Sequence, residues 1–107
     1  MARIPTRLYG PAALTTSAAT KFTVAASEKN IIRHIHVYNP SGGSLNFTCS
    51  IGADATGTRL FDVFPIAANS TFDHFCYYDL DAAEIFQALG SGTALVITVS
   101  GDRVVLG

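Results

Sequence analysis

The sequence predicts an all-β protein: a single antiparallel β-sandwich, jelly-roll-like domain of about eight short strands with an extended N-terminal arm. Three observations predict it. Apolar and polar residues alternate with period two along several runs, the pattern of strands with one buried face. Gly, Ser, Asn and Pro punctuate those runs at short, regular intervals. No segment carries the apolar spacing of a long amphipathic helix. With 107 residues, the chain suits one domain with a modest core.

The elements follow in order. Residues 1–13 form the arm, and residues 14–107 the sandwich. Pro5 and Pro11 bracket Thr6-Arg7-Leu8-Tyr9-Gly10, which can be extended but not helical. Ile4, Leu8 and Tyr9 make this segment too apolar for a disordered tail, so it is expected to dock, a neighbouring subunit being one surface for it. Removing residues 1–10 should then leave a folded domain. From Thr20 to Ala25, Phe22 and Val24 point inward and Lys21 and Thr23 outward. Residues 30–51 read as a β-hairpin. In its first arm Ile31, Arg33, Ile35 and Val37 share one face, and His34, His36 and Tyr38 the other. Asn39-Pro40-Ser41-Gly42-Gly43 turns the chain, and Leu45, Phe47, Cys49 and Ile51 face the core on the return. A loop of small residues, 52–58, leads to a short strand at Arg59-Leu60-Phe61. Phe64-Pro65-Ile66 and a turn at Ala68-Asn69 precede an aromatic-rich strand, Thr71 to Tyr78. Asp79 to Ala83 fits one helical turn, and Glu84 to Leu89 is read as strand from its context. Thr93 to Ser100 is a strand, Gly101-Asp102 a turn signal, and Arg103 to Leu106 a last short strand.

Composition excludes several functions. Charged residues make up 14 %, against about 25 % in ordinary soluble domains. So few charges leave part of the surface to be covered by other protein chains, including copies of this one. A net charge of −1 sets up no field that would attract phosphate, so nucleic acid is not an expected partner. No signal-peptide core is visible in Met1 to Thr20, and no apolar run approaches the roughly 18 residues of a membrane span. Folding in a cytoplasm follows, and Cys49 and Cys76 are then read as thiols rather than a bridge.

Few residues offer chemistry. His34 and His36, two apart on a strand, point the same way and are weak candidates for binding one metal ion. Cupins carry such a His-x-His on a jelly-roll strand with a Glu a few residues later. Here Val37-Tyr38-Asn39-Pro40-Ser41 follows instead, and Asp73, Asp79 and His74 stand at no recognisable spacing. The plainer reading is a solvent-facing or subunit-facing stripe. No catalytic motif frames a serine, and neither cysteine has an activating context, so no catalytic residue and no cofactor is expected. The aromatic strand places Phe72, His74, Cys76 and Tyr78 on one face and Phe75 and Tyr77 on the other. Rings on both faces mean a core on each side, or a core and an interface, with carbohydrate stacking a third option.

The run Ile32-Arg33-His34-Ile35-His36-Val37-Tyr38-Asn39-Pro40-Ser41-Gly42-Gly43, with Ser50-Ile51-Gly52-Ala53-Asp54-Ala55-Thr56-Gly57-Thr58-Arg59-Leu60-Phe61, resembles small accessory virion proteins of tailed bacteriophages. Arg7-Leu8-Tyr9-Gly10-Pro11 and Thr98-Val99-Ser100-Gly101-Asp102 extend the likeness over most of the chain. The resemblance implies a non-enzymatic structural protein of the virion, assembled in the host cytoplasm. The resemblance leaves head and tail open, and the leading expectation is a capsid decoration protein that binds the major capsid protein and reinforces the shell. A place in the tail or at the head–tail junction is the alternative. A host-surface carbohydrate-binding module is an alternative of another class. The expected partner-binding residues are Ile4, Leu8 and Tyr9 in the arm and Phe75, Tyr77 and Tyr78 on the aromatic strand.

Overall fold

The computed structural model describes residues 2–106. They form eight strands: β1 (Ala2–Ala13), β2 (Ala19–Thr23), β3 (Glu28–Asn39), β4 (Leu45–Ile51), β5 (Arg59–Ile66), β6 (Ser70–Leu80), β7 (Ile85–Gly90) and β8 (Val96–Val105). No helix among the described residues is long and apolar enough to cross a membrane. The strands build two four-stranded antiparallel sheets. Sheet A has the order β1-β8-β3-β6, and sheet B the order β2-β7-β4-β5. The ladders β1·β8, β2·β7, β3·β6 and β4·β5 are the rungs of one long hairpin centred on the β4–β5 turn. Successive rungs fall alternately in sheets A and B, and pairing of β8 with β3 and of β7 with β4 closes the roll. That is the jelly-roll arrangement of two facing sheets.

Period-two alternation builds the core between them. Ile32, Ile35, Val37, Ile97 and Val99 of sheet A meet Phe47, Cys49, Phe86 and Ala88 of sheet B. At one side, β5 and β6 bring together a half-buried cluster in which Phe61 meets Phe72 and His74 edge-on and Phe64 lies 4.5 Å from Phe72.

Several elements differ from the sequence reading. Residues 30–51 alternate as expected but are not a hairpin: β3 lies in sheet A and β4 in sheet B. Alternation reports that each strand has one buried face, and these two faces meet across the core rather than side by side. The crossing is fixed by Asn39, which is wholly buried. Its Nδ2 donates to the carbonyls of Gly43 (2.9 Å), Ile66 (3.0 Å) and Ala67 (3.2 Å), while its Oδ1 accepts from the backbone and hydroxyl of Ser41. The polar corner therefore joins two loops.

The faces of β3 also change along its length. A β-bulge between Ile32 and His34 shifts the register against both β6 and β8. Ile31 and Arg33 consequently lie on the outer face of sheet A, while Ile35 and Val37 point into the core. Gly101 faces this bulge and does not turn the chain, because β8 runs straight through it. A Cβ there would collide with the carbonyl oxygen of Ile31, so the glycine serves close strand approach.

The segment assigned to the arm docks on its own chain. Its residues 2–13 are β1, an edge strand laddered along β8, and Pro5 and Pro11 are tolerated because an edge needs only one partner. Met1 lies outside the described residues. Residues 81–84 make a turn instead of a helical one, with Ala83 at φ 71° and the Asp81 amide donating to Glu84 Oε1. Glu84 to Leu89 is largely strand, as read.

Candidate functional site

The outer face of sheet A gathers most of the chain's polar chemistry. After the bulge, His34 and His36 both project from β3 on this face. Pairing of β3 with β6 sets His36 directly opposite Asp73 and His34 opposite Phe75. The Asp73 carboxylate oxygen Oδ1 accepts from Nε2 of His34 at 2.8 Å and from Nδ1 of His36 at 2.6 Å. These two bonds, that of His36 foremost, hold the Asp73 carboxyl below the usual carboxylate range. The His34 ring lies flat on Phe75, centroids 4.3 Å apart and planes 2° apart, which fixes its orientation. The histidine pair thus has the carboxylate that sequence spacing did not reveal. Strand register supplies it from a segment 37 to 39 residues away.

A second constellation crosses all four strands of the same sheet. Asp102 of β8 is buried and its Oδ2 accepts from Arg3 of β1 at 2.9 Å and from Arg33 of β3 at 3.3 Å. Both guanidinium groups stand within 6 Å of the ring of Tyr77 on β6, at 5.9 and 5.7 Å. Two guanidinium groups thus share one carboxylate and one aromatic ring, which makes the group a clamp across the sheet.

The expected partner-binding residues divide. Phe75 is 76 % exposed and Tyr77 58 % exposed, neighbours on the outward side of an edge strand. Ile4 is also exposed. Leu8 and Tyr9 are half-buried against the chain's own core, and so is Tyr78, whose hydroxyl lies 3.0 Å from His74 Nε2. Both cysteines are free thiols. Burial pushes the Cys49 thiol up to about 12, and Cys76 is shifted in the same direction for the same reason. Neither has the depressed value of a nucleophile. A shallow pocket of about 310 Å³ opens over β4, β5 and β7, lined by Asn46, Thr48, Val63, Leu89 and Ser91 among others. Its lining holds no titratable side chain; its polar groups are the Asn46 amide and the hydroxyls of Thr16, Thr48 and Ser91.

No protein-family model matches the chain, and no curated protein matches it. Among solved structures it is similar to a chain of the Bacillus endospore appendages, described as a novel family of disulfide-linked pili. The TM-score is 0.54 at 11 % identity, covering 98 % of this chain and 89 % of that one. Identity at that level makes this a likeness of fold.

Proposed function

We propose that this protein is a non-enzymatic structural subunit of a larger protein assembly, docking through the exposed aromatic edge of sheet A. The observation that carries the reading is Phe75 and Tyr77 standing outward on β6, whose outer backbone edge has no strand beside it among the described residues. Large exposed rings on an open strand edge mark an association surface. The low charge content favours the same conclusion. A pilus protein sharing the fold supports use of such a sandwich as an assembly unit. The disulfide linkage of that pilus is not carried over, because Cys49 is sealed in the core and Cys76 half-buried.

The resemblance to accessory virion proteins supplies the finer proposal. The assembly would be a bacteriophage virion, and the chain a capsid decoration protein contacting the major capsid protein and copies of itself. A tail or head–tail position is the variant of that proposal. A carbohydrate platform would have to work with Phe75 and Tyr77 alone, since Tyr78 turns inward. Purified particles should carry the chain in hundreds of copies on the shell, or in a small ring-like number if it belongs to the tail. The double substitution Phe75→Ser and Tyr77→Ser should leave a folded monomer that no longer incorporates. Incorporation unchanged by the double substitution would overturn the docking edge. A chain absent from particles and monomeric at high concentration would overturn the assembly role.

A further inference from the structure

We propose that His34, His36 and Asp73 form a binding site for a divalent transition-metal ion, Zn²⁺ foremost, on the outer face of sheet A. The three donor atoms lie within 4.8 Å of one another. They come from two hydrogen-bonded strands, so the backbone ladder fixes their spacing. In a tetrahedral zinc site with bonds of 2.0–2.2 Å, donor atoms sit about 3.3 Å apart. The two N···O distances, 2.8 and 2.6 Å, fall short of that value by only about 0.5–0.7 Å. Imidazole and carboxylate donors together suit zinc and its neighbours rather than calcium or magnesium, which take oxygen ligands.

Two further features favour a cation over a simple hydrogen-bonded trio. Among the described residues no lysine or arginine pairs with Asp73; its partners are the two imidazoles. By contrast, Asp54, Asp79, Asp81, Asp102 and Glu28 each face a lysine or arginine. The stack on Phe75 also holds the His34 ring in place before any ion arrives, which lowers the ordering cost of binding. All three side chains are partly open to solvent, so an ion can reach them and keep a fourth position for water or for a donor from another molecule. Bound there, the ion would tie edge strand β6 to β3 beside Phe75.

This inference does not depend on the assembly role, and it is tested on the isolated chain. Chelator-treated protein is titrated with ZnCl₂ by calorimetry and with CoCl₂ by visible absorption. One equivalent of Zn²⁺ is expected, with a four-coordinate nitrogen–oxygen cobalt spectrum. Changes that only disturb the groups around a metal's ligands already cost about 10–100-fold in affinity. Asp73→Asn and His36→Asn should therefore each weaken binding at least tenfold, with the circular dichroism of the native fold retained. His74→Asn, which alters the third histidine on the inner side of β6, should bind as the parent does. In the parent protein, zinc should shift the imidazole resonances of His34 and His36 and leave those of His74 in place, a readout that needs no variant. Binding well below one equivalent, affinity lost with His74 in place of His36, or shifts centred on His74 would each overturn the site.

Discussion

At the scale of single residues, two side chains illustrate how burial decides role. Asn39 is a polar residue without solvent, and it uses its amide for five hydrogen bonds at the corner between sheets. Replacing it by Ala would strand several buried carbonyl and amide groups, so Asn39→Ala should lose about 2–3 kcal/mol in denaturant unfolding. Cys49 shows the opposite case, an apolar use of a reactive group. With its thiol raised to about 12 it should resist an aromatic disulfide reagent in the native protein and react fully once denaturant is added. The sequence made Cys49 legible, because it alternates with Phe47 and Ile51. It made Asn39 legible only as a turn residue, since nothing local announces that Ile66, at the end of β5, and Ala67 will arrive beside it.

At the scale of elements, β1 and the β4–β5 loop carry the predictions. Deleting residues 2–10 removes most of an edge strand, bares the hydrogen-bonding groups of β8 and uncovers the core beside Leu8 and Tyr9. Such a truncation should give insoluble or largely unfolded protein in a solubility and circular-dichroism assay. The loop is held by Arg59, which forks onto both oxygens of Asp54 at 2.8 and 3.1 Å and reaches Asp62 at 2.7 Å. The Arg59 guanidinium keeps the Asp54 carboxyl below its ordinary value of 3.8. A carboxyl lowered in the folded state stabilises the fold above that ordinary value, and the contribution disappears as pH falls through the lower, folded-state value. Parent protein should thus melt above Asp54→Asn at neutral pH, and the two melting curves should converge on acidification below about pH 4.

The elements also show where sequence stops being informative. Period-two alternation gave the strand character of β3, β4 and β6 and the division of the β6 rings between two faces, whereas β1 read only as an extended arm and β7 only from its context. The bulge in β3 did not, because an inserted residue changes phase without changing composition. It put Arg33 beside Asp102 and Tyr77 when alternation had assigned it to the core. Asp73 was hidden for a related reason: its partners are decided by which strand lies alongside. A usable signal did exist. With eight strands in order, the jelly-roll arrangement pairs the third with the sixth. The acidic member of the outward stripe Thr71, Asp73, Phe75 and Tyr77 then has to meet the histidines.

At the scale of the whole molecule, the rolled hairpin makes nearly every ladder a long-range one. The outermost rung joins Ala2 to Val105, and only the innermost, β4·β5, is local. Loop closure must be met before such contacts reward it, so folding should be slow for this size, on the order of milliseconds to seconds in stopped-flow refolding. A microsecond folding phase accounting for the full amplitude would contradict the rolled order of assembly. The same topology concentrates the ionisable side chains on sheet A. Its outer face receives side chains from both halves of the chain, while sheet B carries the local hairpin and a pocket without ionisable groups.

Pairing of Ala2 with Val105 has a further consequence for anything joined to this domain. Both ends of the described chain leave from one corner of sheet A, beside Glu28. His36 lies eight residues further along β3, about 25 Å away at the rise of an extended strand. A sequence attached at either end therefore starts at the far end of the sheet from the histidines. Cargo could be displayed there, or the two ends joined by a short linker and new ends opened in another loop, without obstructing the face that carries the histidines.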